Sequence, residues 1–450
     1  MNIKIFNFLL IFFFFSSCSS YEEYKNNLNA YEDPNLFHES MQKLTDVIVY
    51  DIFSPPVASR IYVYPTIAAY EVLINDYPKY KSFAAQLNGL NDVPKPDLNK
   101  EYSFPVASLH AFITIGKDLI FSENKINEFQ KDIFKKLKEK GIPKDIYDRS
   151  IAYGDEVANH IKKWYNEDNY KQTRSFPKYT IQRDDEESWK PTPPDYMEGI
   201  EPHWNKIRTL VIDSSNQFII TPPPKFSLDK TSKFYKDLIE VYEIGNNLTD
   251  EQKDVASFWD CNPYVSHHRG HAMFATKKIT PGGHWIGITK IASKKAELNL
   301  IETIHTYSMV SIGLFDAFIV CWDEKWRSIL VRPETLINQY IDKDWIPLLQ
   351  TPPFPEYTSG HSVISRSAAN ILTFLLGNNF EFLDTTEEIY GLKARKFDSF
   401  IQASDEAAIS RIWGGIHYMP AIIYGVDQGD KVGNFVIENL DLTQNIISKK

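Results

Sequence analysis

Three short segments in the last third of the chain carry residue types that suit a single chemistry. The first is Lys325 followed by Arg332-Pro333, the second Ser359-Gly360-His361, and the third Ser410-Arg411 followed by His417. On one helix, residues seven apart face the same way about 10 Å apart along the axis, a gap that the long side chains of Lys325 and Arg332 can close on one ligand. Pro333 biases Arg332 towards extended backbone and so frees it from a helix end. The Ser359 tripeptide follows a proline-broken approach and precedes a helix expected over residues 363–376, closed by Gly377. It therefore stands at a helix N-terminus, where free N–H groups and the macrodipole attract an anion and a glycine lets the backbone come close. Ser359 adds a hydroxyl donor and His361 a titratable group for acid-base work. Arg411 and His417 would not share a face of an unbroken helix, but Gly414-Gly415 between them can end it. Two guanidinium groups, an ammonium, a hydroxyl, a backbone N–H at Gly360 and two imidazoles would then surround a tetrahedral, multiply charged oxyanion. Phosphate and vanadate both fit.

The elements that must position these groups read as helices. Over residues 36–169 apolar residues recur at helical spacing, as in Phe129, Ile133, Phe134 and Leu137. Residues 174–230 are broken by Pro177, Pro191, Pro193, Pro194, Pro202, Pro222, Pro223 and Pro224 and are expected to form a long ordered loop around the body. Thr249 with Gln252 three residues later marks a capped helix start. Residues 298–322 predict a long apolar helix whose interior Asp316 and polar flanks suit a core position better than a membrane span. The expected fold is all-α, in bundles, with long irregular loops. Its divisions are a signal over residues 1–18, a tether over 19–35, an N-terminal helical region over 36–295 and a C-terminal catalytic bundle over 296–440, the last two forming one compact unit.

With 450 residues, 43% of them hydrophobic and 24% charged, the chain can bury a large core. A formal net charge of -10 argues against a nucleic-acid partner. Lys4, the apolar run over residues 8–15 and Ser16-Ser17-Cys18 resemble a bacterial lipobox. On that reading Cys18 is lipidated, and the protein is exported, anchored to an outer membrane by lipid or periplasmic. Cys261 and Cys321 remain, as a disulfide or as two buried thiols. The run Ser266-His267-His268-Arg269-Gly270-His271 has no companion ligand at metal-site spacing and reads as a loop or access channel. Pro281-Gly282-Gly283-His284-Trp285 reads as a tight turn before a buried segment.

In this order the three segments resemble the signature of the superfamily of vanadium haloperoxidases, bacterial acid phosphatases and type 2 phosphatidic-acid phosphatases, with every motif position filled. Trp322, Phe354 and the run Asn262-Pro263-Tyr264, with the chain length and exported N-terminus, resemble the bacterial vanadium iodoperoxidases of marine flavobacteria more narrowly. The resemblance implies helical bundles and a vanadate cofactor whose place phosphate can take, bound by Lys325, Arg332, Ser359, Gly360 and Arg411. It implies His417 as metal ligand or phosphorus-attacking nucleophile, and His361 as the proton-handling group. It implies Trp322, Phe354 and Tyr264 as a halide pocket. The expected activity is oxidation of halide, iodide first, by hydrogen peroxide. Two alternatives stand beside it: an acid phosphatase with a phosphohistidine at His417, and a lipoprotein that binds an oxyanion without catalysis.

Overall fold

The computed structural model describes residues 21–441 except Gly270 and His271, and gives no side-chain placement for residues 267–274. The export signal and Cys18 lie outside the described residues, and the lipid anchor remains an expectation from sequence.

Among the described residues the chain builds thirteen main helices. Five form the N-terminal part: α1 (Pro34–Asp51), α2 (Pro55–Leu73), α3 (Phe104–Asp118), α4 (Glu123–Lys138) and α5 (Lys144–Asn166). After the long loop come α6 (Lys233–Asn246), α7 (Asp250–Phe258), α8 (Pro281–Lys295), α9 (Leu300–Ser328), α10 (Pro333–Tyr340), α11 (Gly360–Leu376), α12 (Phe400–Trp413) and α13 (Met419–Asn439). Two short antiparallel hairpins interrupt them: β1 (Val265–Arg269) with β2 (Ala272–Thr276), and β3 (Phe382–Asp384) with β4 (Arg395–Phe397).

Helix α9 is the axis. Its start is fixed by a reciprocal cap, Asn299 accepting from the Glu302 N–H and Glu302 from the Asn299 N–H. Every side chain from Leu300 to Lys325 is buried, so the helix is covered on all sides and runs through the centre, packing on α2 and on α11. It is long and apolar enough to cross a membrane, but here its apolar stretch is fully buried inside the protein. One apolar core joins residues of both halves through it. Asp316, the one acid deep in this helix, accepts from the N–H groups of Leu210, Val211 and Ile212 at 2.7, 2.8 and 3.1 Å. The proline-rich loop is thereby pinned to the core.

Several expectations need correction. The stretch expected as a polar tether is ordered where it is described: residues 21–26 and 28–31 are helical, with Tyr24 and Tyr31 buried edge to face 5.3 Å apart. Its polar composition hid two aromatic anchors spaced to reach the body. Pro281-Gly282-Gly283 is not a turn but the first turn of α8, where Thr280 caps the Gly283 N–H and proline needs no donor. Lys325 and Arg332 do not share a helix. Helix α9 stops at Ser328, because Ile329 adopts a left-handed conformation (φ 51°). Of the two readings left open for Cys261 and Cys321, the structure has the second: both are free, buried thiols.

Candidate active site

The sequence motifs converge at the C-terminal end of α9 and the N-terminal end of α11. Lys325, in the last turn of α9, is fully buried and donates to the carbonyls of Pro355 and Glu356, each at 3.0 Å, and to that of Thr358. Arg332 arrives by the loop after α9 and stands at the N-cap position of α10 with extended backbone, the geometry that Pro333 favours. Its guanidinium donates to the carbonyls of Phe354 (2.9 Å) and Ile416 (2.8 Å) and approaches Nε2 of His417 at 3.2 Å. Arg411, in the last turn of α12, leans on Ser410 Oγ at 2.9 Å. The helix ends at Trp413, and Gly415 takes a positive φ of 76° that L side chains resist, so the chain turns back and brings His417 to the same place.

Ser359 caps α11 by accepting from the Ser362 N–H, which leaves its hydroxyl hydrogen free to donate elsewhere. Gly360 follows at the first helical position. A Cβ there would meet only a Trp322 ring carbon at 3.9 Å, so the glycine lies over open space and keeps the helix terminus accessible. His361 bonds the Trp259 backbone, while its Nε2 is buried without a hydrogen-bond partner.

A cavity of about 270 Å³ opens over these groups, lined by Gly360, His361, Arg411 and His417 and walled by Tyr264, Trp322 and Phe354. Trp322 and Phe354 pack with ring centroids 5.0 Å apart, and Phe354 also lies 5.1 Å from both Lys325 Nζ and the Arg332 guanidinium carbon. The residues singled out from the sequence thus belong to one neighbourhood, although Lys325, Arg332 and Ser359 stand behind its wall.

Glu356 was not foreseen. Its Oε1 accepts from Nδ1 of His417 at 2.7 Å and from the Tyr418 N–H at 3.0 Å. Because a guanidinium can only donate, the approach of Arg332 makes Nε2 of His417 the acceptor and Nδ1 the protonated nitrogen facing Glu356. The tautomer is thereby fixed with its lone pair towards the cations. A lone acid in the run Pro352-Pro353-Phe354-Pro355-Glu356, just before the Ser359 tripeptide, was the available signal.

The electrostatics describe a site built for an anion. Burial pushes Lys325 down to about 7 and Arg332 and Arg411 each down to about 10. His417 and His361 are held well below the usual imidazole range by burial first, then by neighbouring cations. Glu356, the carboxylate that touches the group, is itself raised to about 7 by burial. Nη2 of Arg332 is buried with no hydrogen-bond partner. Three crowded cations, an orphaned guanidinium N–H and an unpartnered imidazole fit a compact, multiply charged oxyanion such as vanadate.

Comparison with known proteins agrees with this geometry. Residues 305–445 match the family model described as the VCPO second helical-bundle domain. The crystal structure described as the first bacterial vanadium-dependent iodoperoxidase superimposes with a TM-score of 0.87 and 49% sequence identity, over 93% of this chain and 98% of that one. The chain belongs to the vanadium-dependent haloperoxidase family. Two structures of a bacterial vanadium-dependent chloroperoxidase share the haloperoxidase fold. The holo form matches with a TM-score of 0.65 and 16% identity over 86% of this chain and 93% of that one. The apo form matches with a TM-score of 0.64 and 15% identity over 87% and 95%. No curated protein matches the chain. Membership in the haloperoxidase family implies a vanadate cofactor, and the donor set around His417 suits it.

Proposed function

We propose that this haloperoxidase oxidises halide, iodide first, with hydrogen peroxide, consuming one proton and releasing hypohalous acid and water. The observation that carries the reading is His417 Nε2, a lone pair locked by Glu356 behind it and aimed among three buried cations. Bound vanadate supplies a Lewis-acidic oxyanion centre that activates peroxide towards a halide nucleophile.

The chain's own residues do the rest. Nε2 of His417 would hold the vanadium, with Lys325, Arg332 and Arg411 neutralising its oxygens and Ser359 and the Gly360 N–H donating to them. His361 Nε2, unpartnered and at the cavity wall, is the group proposed to take a proton from peroxide and return it to the departing oxygen. Trp322, Phe354 and Tyr264 present an aromatic wall that suits iodide, a large and weakly hydrated anion. The 49% identical iodoperoxidase supports the halide assignment.

Incubation with orthovanadate followed by assay of iodide with peroxide, beside p-nitrophenyl phosphate without vanadate, tests the proposal. Rapid ester hydrolysis with no halide oxidation would overturn it in favour of a phosphatase, and neither activity would leave an oxyanion binder. His417→Ala should abolish halide oxidation; turnover retained by the folded variant removes the assignment of that residue.

A further inference from the structure

A second buried cluster lies beside the cavity and takes no part in the proposed halide oxidation. Cys261 follows α7, His284 stands in the first turn of α8, and Asp384 and Glu387 lie at the end of β3 and just after it. All four are essentially inaccessible to solvent. His284 Nε2 bonds Asp384 Oδ2 at 2.8 Å, and its Nδ1 faces Cys261 Sγ at 3.4 Å and Glu387 Oε1 at 3.1 Å. The three donor atoms of Cys261, His284 and Glu387 lie within 4.8 Å of one another.

Two features separate this cluster from an ordinary buried ion pair. Both carboxylate oxygens of Glu387 are buried without a hydrogen-bond partner, even though Nδ1 of His284 stands close to one of them, and such a state is expensive for a carboxylate. His284, in turn, meets Asp384 through the nitrogen away from the cluster. A carboxylate behind an imidazole is the arrangement that fixes a metal-ligating histidine and turns its other lone pair towards the ion.

We propose that Cys261, His284 and Glu387 form a binding site for a zinc ion, with Asp384 orienting the imidazole. Thiolate, imidazole and carboxylate together favour zinc over magnesium or calcium, which take oxygen ligands. Cys261 as thiolate and Glu387 as carboxylate balance the two charges of the ion, and a fourth tetrahedral position remains for water. The ion would join three separate segments: the loop after α7, the start of α8 and the turn after β3. The first of these lines the haloperoxidase cavity through Cys261 and Tyr264, and Trp259, which bonds His361 through its backbone, stacks on His284 with ring centroids 4.5 Å apart. Zinc would act as a structural clamp at the back of the halide wall, independent of the oxyanion site.

The test is metal content and spectroscopy on the full-length protein, with no activity readout required. Protein from zinc-supplemented cells should carry one zinc per chain, and cobalt exchange should produce a near-ultraviolet thiolate-to-cobalt charge-transfer band. Cys261→Ser should lose the band, and Asp384→Asn should weaken zinc by roughly 10–100-fold while the fold persists. Unsubstituted protein that neither retains zinc nor gives the cobalt band overturns the site without recourse to any variant. Zinc retained in full by folded Cys261→Ser overturns it equally, since the ion would then lie elsewhere.

Discussion

Glu356 holds His417 in one tautomer and one orientation, and the consequence is chemical. A carboxylate on Nδ1 makes Nε2 a better donor to a metal while preventing ring rotation that would present the protonated nitrogen instead. Glu356→Gln keeps a hydrogen-bond acceptor of nearly the same shape but removes the charge. We expect vanadate affinity to fall roughly 10–100-fold by titration calorimetry, with the far-ultraviolet dichroism unchanged; equal affinity would mean that Glu356 only fills space. The motif residues were legible because their types and order point at one another, and neighbours in sequence settle much of their local geometry. Glu356 was not, because its partner lies 61 positions away and nothing in a glutamate among prolines announces a histidine. The same holds for His284 and Glu387, whose relation exists only after α8 and the β3 turn have packed.

At the scale of elements, α9 determines where the site can be. It was legible as a core helix from its apolar length and the buried acid within it; it runs past the expected end at Trp322 to Ser328, where Ile329, a β-branched residue, takes a left-handed conformation and stops it. That stop lets Arg332 approach from a loop instead of from the helix face. Asp316 ties this helix to the proline-rich loop, whose course carries no periodic signal and was legible only as a loop. Asp316→Ala would strand three buried backbone N–H groups, each costing about 1–3 kcal/mol when unmet. Even with partial relaxation, about 3 kcal/mol of stability should be lost in urea unfolding. Proteolysis should begin near residues 205–215, and an unshifted midpoint would show that the anchor is dispensable. The misread start of α8 has a plain cause: two glycines after a proline argue for a turn by propensity, while the Thr280 cap and the packing around His284 and Trp285 make it helical.

For the molecule as a whole, the cage is a strain that an anion relieves. Lys325 comes from the end of α9, Arg332 from the loop after it and Arg411 from α12, so folding without a ligand forces separate elements to bury cations around His417, with Arg332 pressing on Lys325. The sign of the resulting pH dependence follows from Lys325. Its pKa is about 7 in the anion-free fold, lowered by burial from the ordinary lysine value that the unfolded chain retains. Between these two values the unfolded chain binds the extra proton, so the anion-free protein gains stability as pH rises through 7. A bound oxyanion restores the ammonium and cancels that dependence. Molybdate carries no titratable proton from pH 6 to pH 9 and isolates the protein's contribution. At about 100 times its dissociation constant it should stabilise the fold by about 2.7 kcal/mol. At one fixed concentration, its shift in melting temperature should be larger at pH 6 than at pH 9, because above pH 7 binding must first recharge Lys325. Lys325→Met, which keeps the volume and removes the proton, should flatten the dependence; a molybdate shift that is equal at both pH values in the unsubstituted protein would show that Lys325 does not titrate with the site.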